Sequence, residues 1–151
     1  MPIPNPKKSI IVDFSIEKIK NSVRNINLVN KKYKFTRSNE IFNQYTFESL
    51  EFLSLGVFID INLTSLVDKT EITVEIRRKV GSFDQSHEIT MSNIHLENIF
   101  SAIALLTTKS VEEIELLKSI KNKDNRPFYK KKRFLIPIAF LFLSFLLSLI
   151  S

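Results

Sequence analysis

Leu53-Ser54-Leu55-Gly56-Val57-Phe58-Ile59-Asp60-Ile61-Asn62-Leu63 is the stretch that decides the fold. Its apolar residues, Leu53, Leu55, Val57, Ile59, Ile61 and Leu63, alternate with Ser54, Gly56, Phe58, Asp60 and Asn62. A period of two sends successive side chains to opposite sides of an extended chain, so this is a strand with one apolar face. After a turn around Leu66 to Lys69 the alternation resumes. Ile72, Val74, Ile76 and Val80 share one face, and Glu71, Thr73, Glu75, Arg77 and Lys79 the other. Two such runs joined by a short polar turn predict an antiparallel pair with one buried face. Arg78 interrupts the apolar row and is expected at its rim. Gly56 marks a bulge or a close approach of another backbone. Phe52 and Phe58 run out of phase with the core row, which predicts a second apolar surface.

Towards the N-terminus, a further strand is expected from Ile41 to Phe47. Residues 30–39 interleave Tyr33 and Phe35 with Lys31, Lys32, Lys34 and Arg37. Aromatic and basic residues in alternation suit single-stranded nucleic acid. A basic connection or edge strand, protected from aberrant pairing by its lysines, accounts for the segment without a ligand. From Asp13 to Leu28 the spacing becomes helical, with Ile16, Ile19, Val23 and Ile26 on a narrow stripe and Asp13 or Ser15 available as a cap. That stripe lacks the bulk of an interfacial helix and is expected to pack on the sheet. Residues 1–9, rich in Pro, Asn and Lys, read as a flexible tail.

Towards the C-terminus, Gly81–Gln85 is expected as a loop and Glu88–Met91 as one more short strand. Ser92 or Asn93 then caps a helix through Thr107, with Leu96, Ile99, Phe100, Ile103 and Leu106 inward. A second helix starts at Ser110, where Ser110 and Glu113 fit the capping box, and Val111, Ile114, Leu117 and Ile120 continue inward. The expected fold class is α+β: an N-terminal helix, an antiparallel sheet of about four strands and one or two covering helices, because a one-faced sheet needs a cover. A single C-terminal transmembrane helix follows. This layout resembles the small helix–meander–helix domains of bacterial proteins.

Beyond Pro127 the chain changes character. Phe134 to Ile150 are seventeen uncharged residues, thirteen of them Phe, Leu or Ile, preceded by Lys130, Lys131, Lys132 and Arg133. As a helix this run spans roughly 26 Å, close to the hydrocarbon thickness of a bilayer. Pro137 falls in the first turn, where its missing N–H costs little. Phe128 and Tyr129 suit the headgroup level, and the four cations set the preceding domain in the cytoplasm. The arrangement resembles the tail-anchored class of membrane proteins. The resulting organisation is a tail at 1–9, a cytoplasmic domain at 10–122, a basic juxtamembrane linker at 123–133 and an anchor at 134–151. Ser144 and Ser148, four apart on one helix face, offer a small-residue seam for pairing two anchors into a homodimer.

Charge and chemistry narrow the function. The net charge is +6, of which residues 130–133 supply four; the remainder carries eighteen basic and sixteen acidic residues. The excess therefore sits beside the proposed membrane, which removes the main reason to expect nucleic acid. There is no cysteine, so thiol catalysis and Cys-ligated metal are excluded. Neither the spacing of His87 and His95 nor any glycine-rich motif matches a metal or phosphate signature. The densest polar group, Asp84, Ser86, His87 and Glu88, is consecutive in sequence and reads as a sheet-edge loop. The expectation is a protein without catalytic residues, cofactor or metal, whose partners are the lipid bilayer and a protein, and whose cytoplasmic domain is an adaptor for that protein or for the membrane surface. The alternative is a membrane-tethered domain binding lipid or another small molecule in an apolar pocket between helices and sheet.

Overall fold

The computed structural model describes residues 3–51, 54–83 and 85–124. Phe52, Leu53, Asp84 and everything after Asp124, the expected anchor included, lie outside the described residues. The elements run β1 (Lys7–Val12), α1 (Ile16–Arg24), α2 (Ile26–Val29), β2 (Tyr33–Asn39), β3 (Gln44–Glu51), β4 (Ser54–Leu66), β5 (Lys69–Arg78), α3 (Ser86–Thr108) and α4 (Val111–Asp124). The chain divides into a compact unit Met1–Ile114 and a second unit Glu115–Ser151.

The five strands form one antiparallel sheet in the order β1-β5-β4-β3-β2. Its register turns the alternation of β4 into a continuous apolar face. Phe47, Ile59 and Ile76 form one cross-strand row, Tyr45, Ile61 and Val74 the next, and Leu63 meets Ile72, which meets Ile10. Leu96, Ile99, Ala102, Ile103 and Leu106 of α3 and Ile19, Val23 and Ile26 of α1 and α2 cover that face, all buried. Burying each large side chain of this set contributes about 1.5–3 kcal/mol. Across the same layer the Ser22 and Thr107 hydroxyls lie 2.9 Å apart, so the buried polar atoms joining α1 to α3 are satisfied.

Several boundaries differ from the expectation, each for a physical reason. The flexible tail ends early, because Lys7–Val12 pair with Thr70–Glu75 as a fifth strand whose partner lies sixty residues away. Within the segment 30–39, Tyr33–Asn39 form an edge strand, β2. The strand expected from Ile41 begins at Gln44; Ile41 and Phe42 form the preceding turn, which Asn43 closes with φ 52. The N-terminal helix breaks at Asn25, whose side-chain amide donates to the Asn21 carbonyl at 2.8 Å while its backbone N–H turns to the Ser22 carbonyl. Glu88–Met91 is helix rather than strand: α3 starts at Ser86, with the Glu88 carboxylate accepting the Gln85 N–H, and Ser92 lies inside it. The Ser110–Glu113 capping box forms as expected, with bonds of 2.8 and 3.2 Å. At the start of α4 Ile114 is buried as expected, whereas Val111 is exposed. Val80 lies past the end of β5 and is exposed as well.

Candidate functional site

One end of the sheet–helix layer is polar. By register Tyr33 faces Ser49, Ser49 faces Val57, and Val57 faces Arg78. This row sits on the same side as the apolar rows, yet three of its four members carry hydrogen-bonding groups. Above it α3 presents Glu88, Ser92 and His95, whose spacing of four and then three puts them on one helical face. Helix and strand periods bring these two polar sets together at the end where β3 and β4 are joined.

The geometry is specific. Tyr33 Oη lies 3.0 Å from His95 Nδ1, and both residues are buried. The imidazole tautomer sets which of the two donates: the phenol to a bare Nδ1, or Nδ1–H to the phenol oxygen. Arg78 Nη1 reaches Glu88 Oε1 at 2.9 Å and the Ser82 carbonyl at 3.1 Å, so an ion pair joins β5 to the first turn of α3. Ser92 Oγ donates to the Glu88 carbonyl at 2.8 Å. Ser49 differs from all of these. It is fully buried, and its hydroxyl has no hydrogen-bond partner. Beyond this row Phe47, Ile59, Ile61, Ile76 and Ile99 have no exposure.

A phenol, an imidazole, a hydroxyl and a guanidinium around one end of an apolar layer can bond the polar end of a molecule whose body is apolar.

The opposite face of the sheet is a charged surface. Asp60 accepts from both Thr46 and Arg77, and Glu48 accepts from Lys79 and Lys34, which hold its carboxyl below the usual range. Phe58, expected to open a second apolar surface, lies half-buried under Arg77 at 5.5 Å and Lys79 at 5.4 Å. Two open depressions of about 550 and 240 Å³ share Arg37, Thr46 and Arg77 on this face.

Of the residues singled out from sequence, Glu88 is spent on Arg78 and on the start of α3, and Ser86 and His87 begin the same helix. His95, whose spacing from His87 matched no metal signature, is buried beside Tyr33. Phe128, Tyr129, Lys130, Lys131, Lys132, Arg133, Ser144 and Ser148 lie outside the described residues. Among the described residues one helix, Glu88–Thr108, is long and apolar enough to cross a membrane. It is the helix that covers the sheet, with Ile99 and Leu106 buried against it. Also among the described residues, no group of three His, Asp or Glu is placed to hold a metal ion. Ser49 was missed, although a signal existed: it keeps the parity of Tyr45 and Phe47, which makes it a polar residue at a core position.

No protein-family model matches the chain, and no curated protein matches it by sequence. Solved structures do match in fold. CalU16 from Micromonospora echinospora aligns at a TM-score of 0.53 and 9% identity, covering 76% of this chain and 85% of its own. The Aha1 protein from Colwellia psychrerythraea aligns at 0.50 and 11%, covering 70% and 98%. A START superfamily protein from Mycobacterium smegmatis aligns at 0.47 and 13%, covering 66% and 93%. With the first two this chain shares an α+β fold in which helices cover one face of an antiparallel sheet.

Proposed function

We propose that this chain is a membrane-tethered binding domain for a lipid or another small molecule with an apolar body and one polar end. The observation that carries this reading is the Ser49 hydroxyl, buried without a partner beside Tyr33 in the register. An unmet buried hydroxyl costs about 1–3 kcal/mol and is uncommon in a well-formed core. A ligand bonding to Ser49 and to the neighbouring polar row relieves that cost. The ligand enters at the polar end, where the Arg78–Glu88 pair is half-buried and can part. No reaction is assigned to the site.

The tether in this proposal is residues 134–151, with residues 10–122 held at the cytoplasmic face and 123–133 as the linker. Phe128, Tyr129 and the cations at 130–133 sit in the headgroup layer, and Ser144 and Ser148 pair two anchors. The test uses the intact chain, extracted from carbonate-washed membranes in mild detergent. A small molecule released from it in stoichiometric amount, and lost from Ser49→Ala while the unfolding temperature holds or rises, is the expected result. A chain that carries nothing, with Ser49→Ala indistinguishable from it, overturns the ligand reading. A retained protein in place of a small molecule restores the adaptor reading. Recovery in the carbonate wash removes the tether.

A further inference from the structure

The opposite end of the sheet carries two hairpin tips with apolar residues where turns ordinarily place polar ones. Val67 is 91% exposed and Ile41 86%, the two most exposed large apolar residues among those described, and Phe42 beside Ile41 is 66% exposed. The turns do not need them. Asp68 and Asn43 take the left-handed conformation, at φ 58 and 52, that closes each hairpin. Gly, Asn, Asp, Pro and Ser dominate such positions because they tolerate or pre-set the turn's backbone angles or bond its backbone, and none of these roles calls for an exposed Ile, Phe or Val.

Both tips lie at one end of the sheet. Leu63 N–H donates to the Asn43 carbonyl at 3.1 Å, and Leu66 pairs with Lys69 just beyond. The two hairpins are two strand spacings apart, about 10 Å, and the β4–β5 tip projects about 12 Å further along the strands. A plane touching both therefore crosses the strands obliquely. Ile11 and Phe14 add exposed apolar surface where β1 ends, and Lys18 Nζ lies 4.7 Å over the Phe14 ring. Asp13 pairs with Lys69 at 2.8 Å and Glu40 with Arg24 at 2.6 Å, while Asp68 inside the β4–β5 turn is an exposed carboxylate that must stay on the water side of Val67.

We infer that the tips Ile41-Phe42 and Leu66-Val67 dip into the interfacial layer of a lipid bilayer. The inference rests on the tether proposed above, which supplies that bilayer. The nine residues from Asn125 to Arg133 reach at most about 30 Å, so the domain cannot leave the membrane surface. Held at such an effective concentration, even weak insertion of two tips persists. Apolar side chains flanked by Lys18 and Lys69, whose stems can lie along the interface, suit that layer better than water.

The chain contains no tryptophan, so a single one reports its own surroundings. Phe42→Trp, Val67→Trp and, at the far end of β5, Val80→Trp are made in the full chain, all at exposed positions. Each is reconstituted into phosphatidylcholine vesicles with plain or brominated acyl chains. Fluorescence is read at neutral pH and carbonate extraction follows, so tips and tether are answered separately. The expected result is a blue shift and bromine-dependent loss of emission at positions 42 and 67, with neither at 80. Water-like emission at 42 and 67 from a carbonate-resistant chain overturns the tips and leaves the tether. A blue shift without quenching means that a second copy covers the tips, and equal quenching at all three positions means unspecific adsorption; either overturns the inference. Release by carbonate with 42 and 67 still quenched keeps the tips and discards the tether.

Discussion

Tyr33 Oη and His95 Nδ1 lie 3.0 Å apart across 62 residues of chain, with their rings edge to face at 68°. This contact ties the first residue of edge strand β2 to α3 in a buried place. Tyr33→Phe is expected to lower stability by about 1–3 kcal/mol, because the imidazole keeps its burial and loses that phenol. Chemical denaturation checks it: the midpoint shifts and the slope does not. Pairing the change with His95→Phe costs less than the sum of the two single changes.

The centre of the layer responds to volume. Ile59 has no exposure and stands between Phe47 and Ile76 in the register. Ile59→Ala is expected to cost about 2–5 kcal/mol, through lost transfer energy and the cavity left behind. Phe35, exposed on the edge strand, is the comparison: Phe35→Ala changes the same midpoint far less.

Arg24, Glu40 and Tyr45 link the end of α1 to the β2–β3 hairpin, with Arg24 Nη2 and Tyr45 Oη both donating to Glu40 Oε2. The Arg24 bond, then the Tyr45 bond, holds the Glu40 carboxyl below its usual range. Burial, then the bond to Glu40, pushes the Tyr45 phenol up to about 12. Glu40 therefore contributes stability above its unfolded-state pKa, lost as pH falls through the lowered folded value. Tyr45 contributes stability below its ordinary 10.0, lost as pH rises from there through about 12. The unfolding temperature is expected to decline at both ends, with the alkaline decline reduced in Tyr45→Phe and the acid decline reduced in Glu40→Gln. Scanning calorimetry across pH reads both.

Gly56 adopts φ 80, a conformation that L side chains rarely take, and its carbonyl accepts the Lys79 N–H at 3.3 Å. Gly56→Ala is expected to destabilise by about 1 kcal/mol or more, since the native backbone there is incompatible with a Cβ. Equilibrium unfolding measures the loss.

Much of the sheet was legible because its period of two is local. The β4 and β5 alternations and the rim position of Arg78 follow from neighbouring residues alone, as does the Ser110–Glu113 cap. β1 was not legible. Lys7-Lys8-Ser9 reads as tail until Ser9 Oγ is found 2.7 Å from Thr73 Oγ1, and that pairing depends on where β5 lies. The start of α3 was hidden similarly: Ser92 and Asn93 look like caps, while the carboxylate that organises the first turn, Glu88, also answers Arg78 across the layer.

By itself the sequence determined the α+β class and the buried face of the central strands, because alternation obliges an extended chain to hide one side. It also set the apolar run Phe134–Ile150 behind four cations, whose membrane role stands as a proposal. Only the tertiary structure decided that Tyr33, Ser49, Arg78, Glu88 and His95 converge, and that Ile41, Phe42 and Val67 meet water at one end. Convergence of this kind depends on register between strands and on which turn of a helix lies above which row. Neither is encoded in any stretch shorter than the fold.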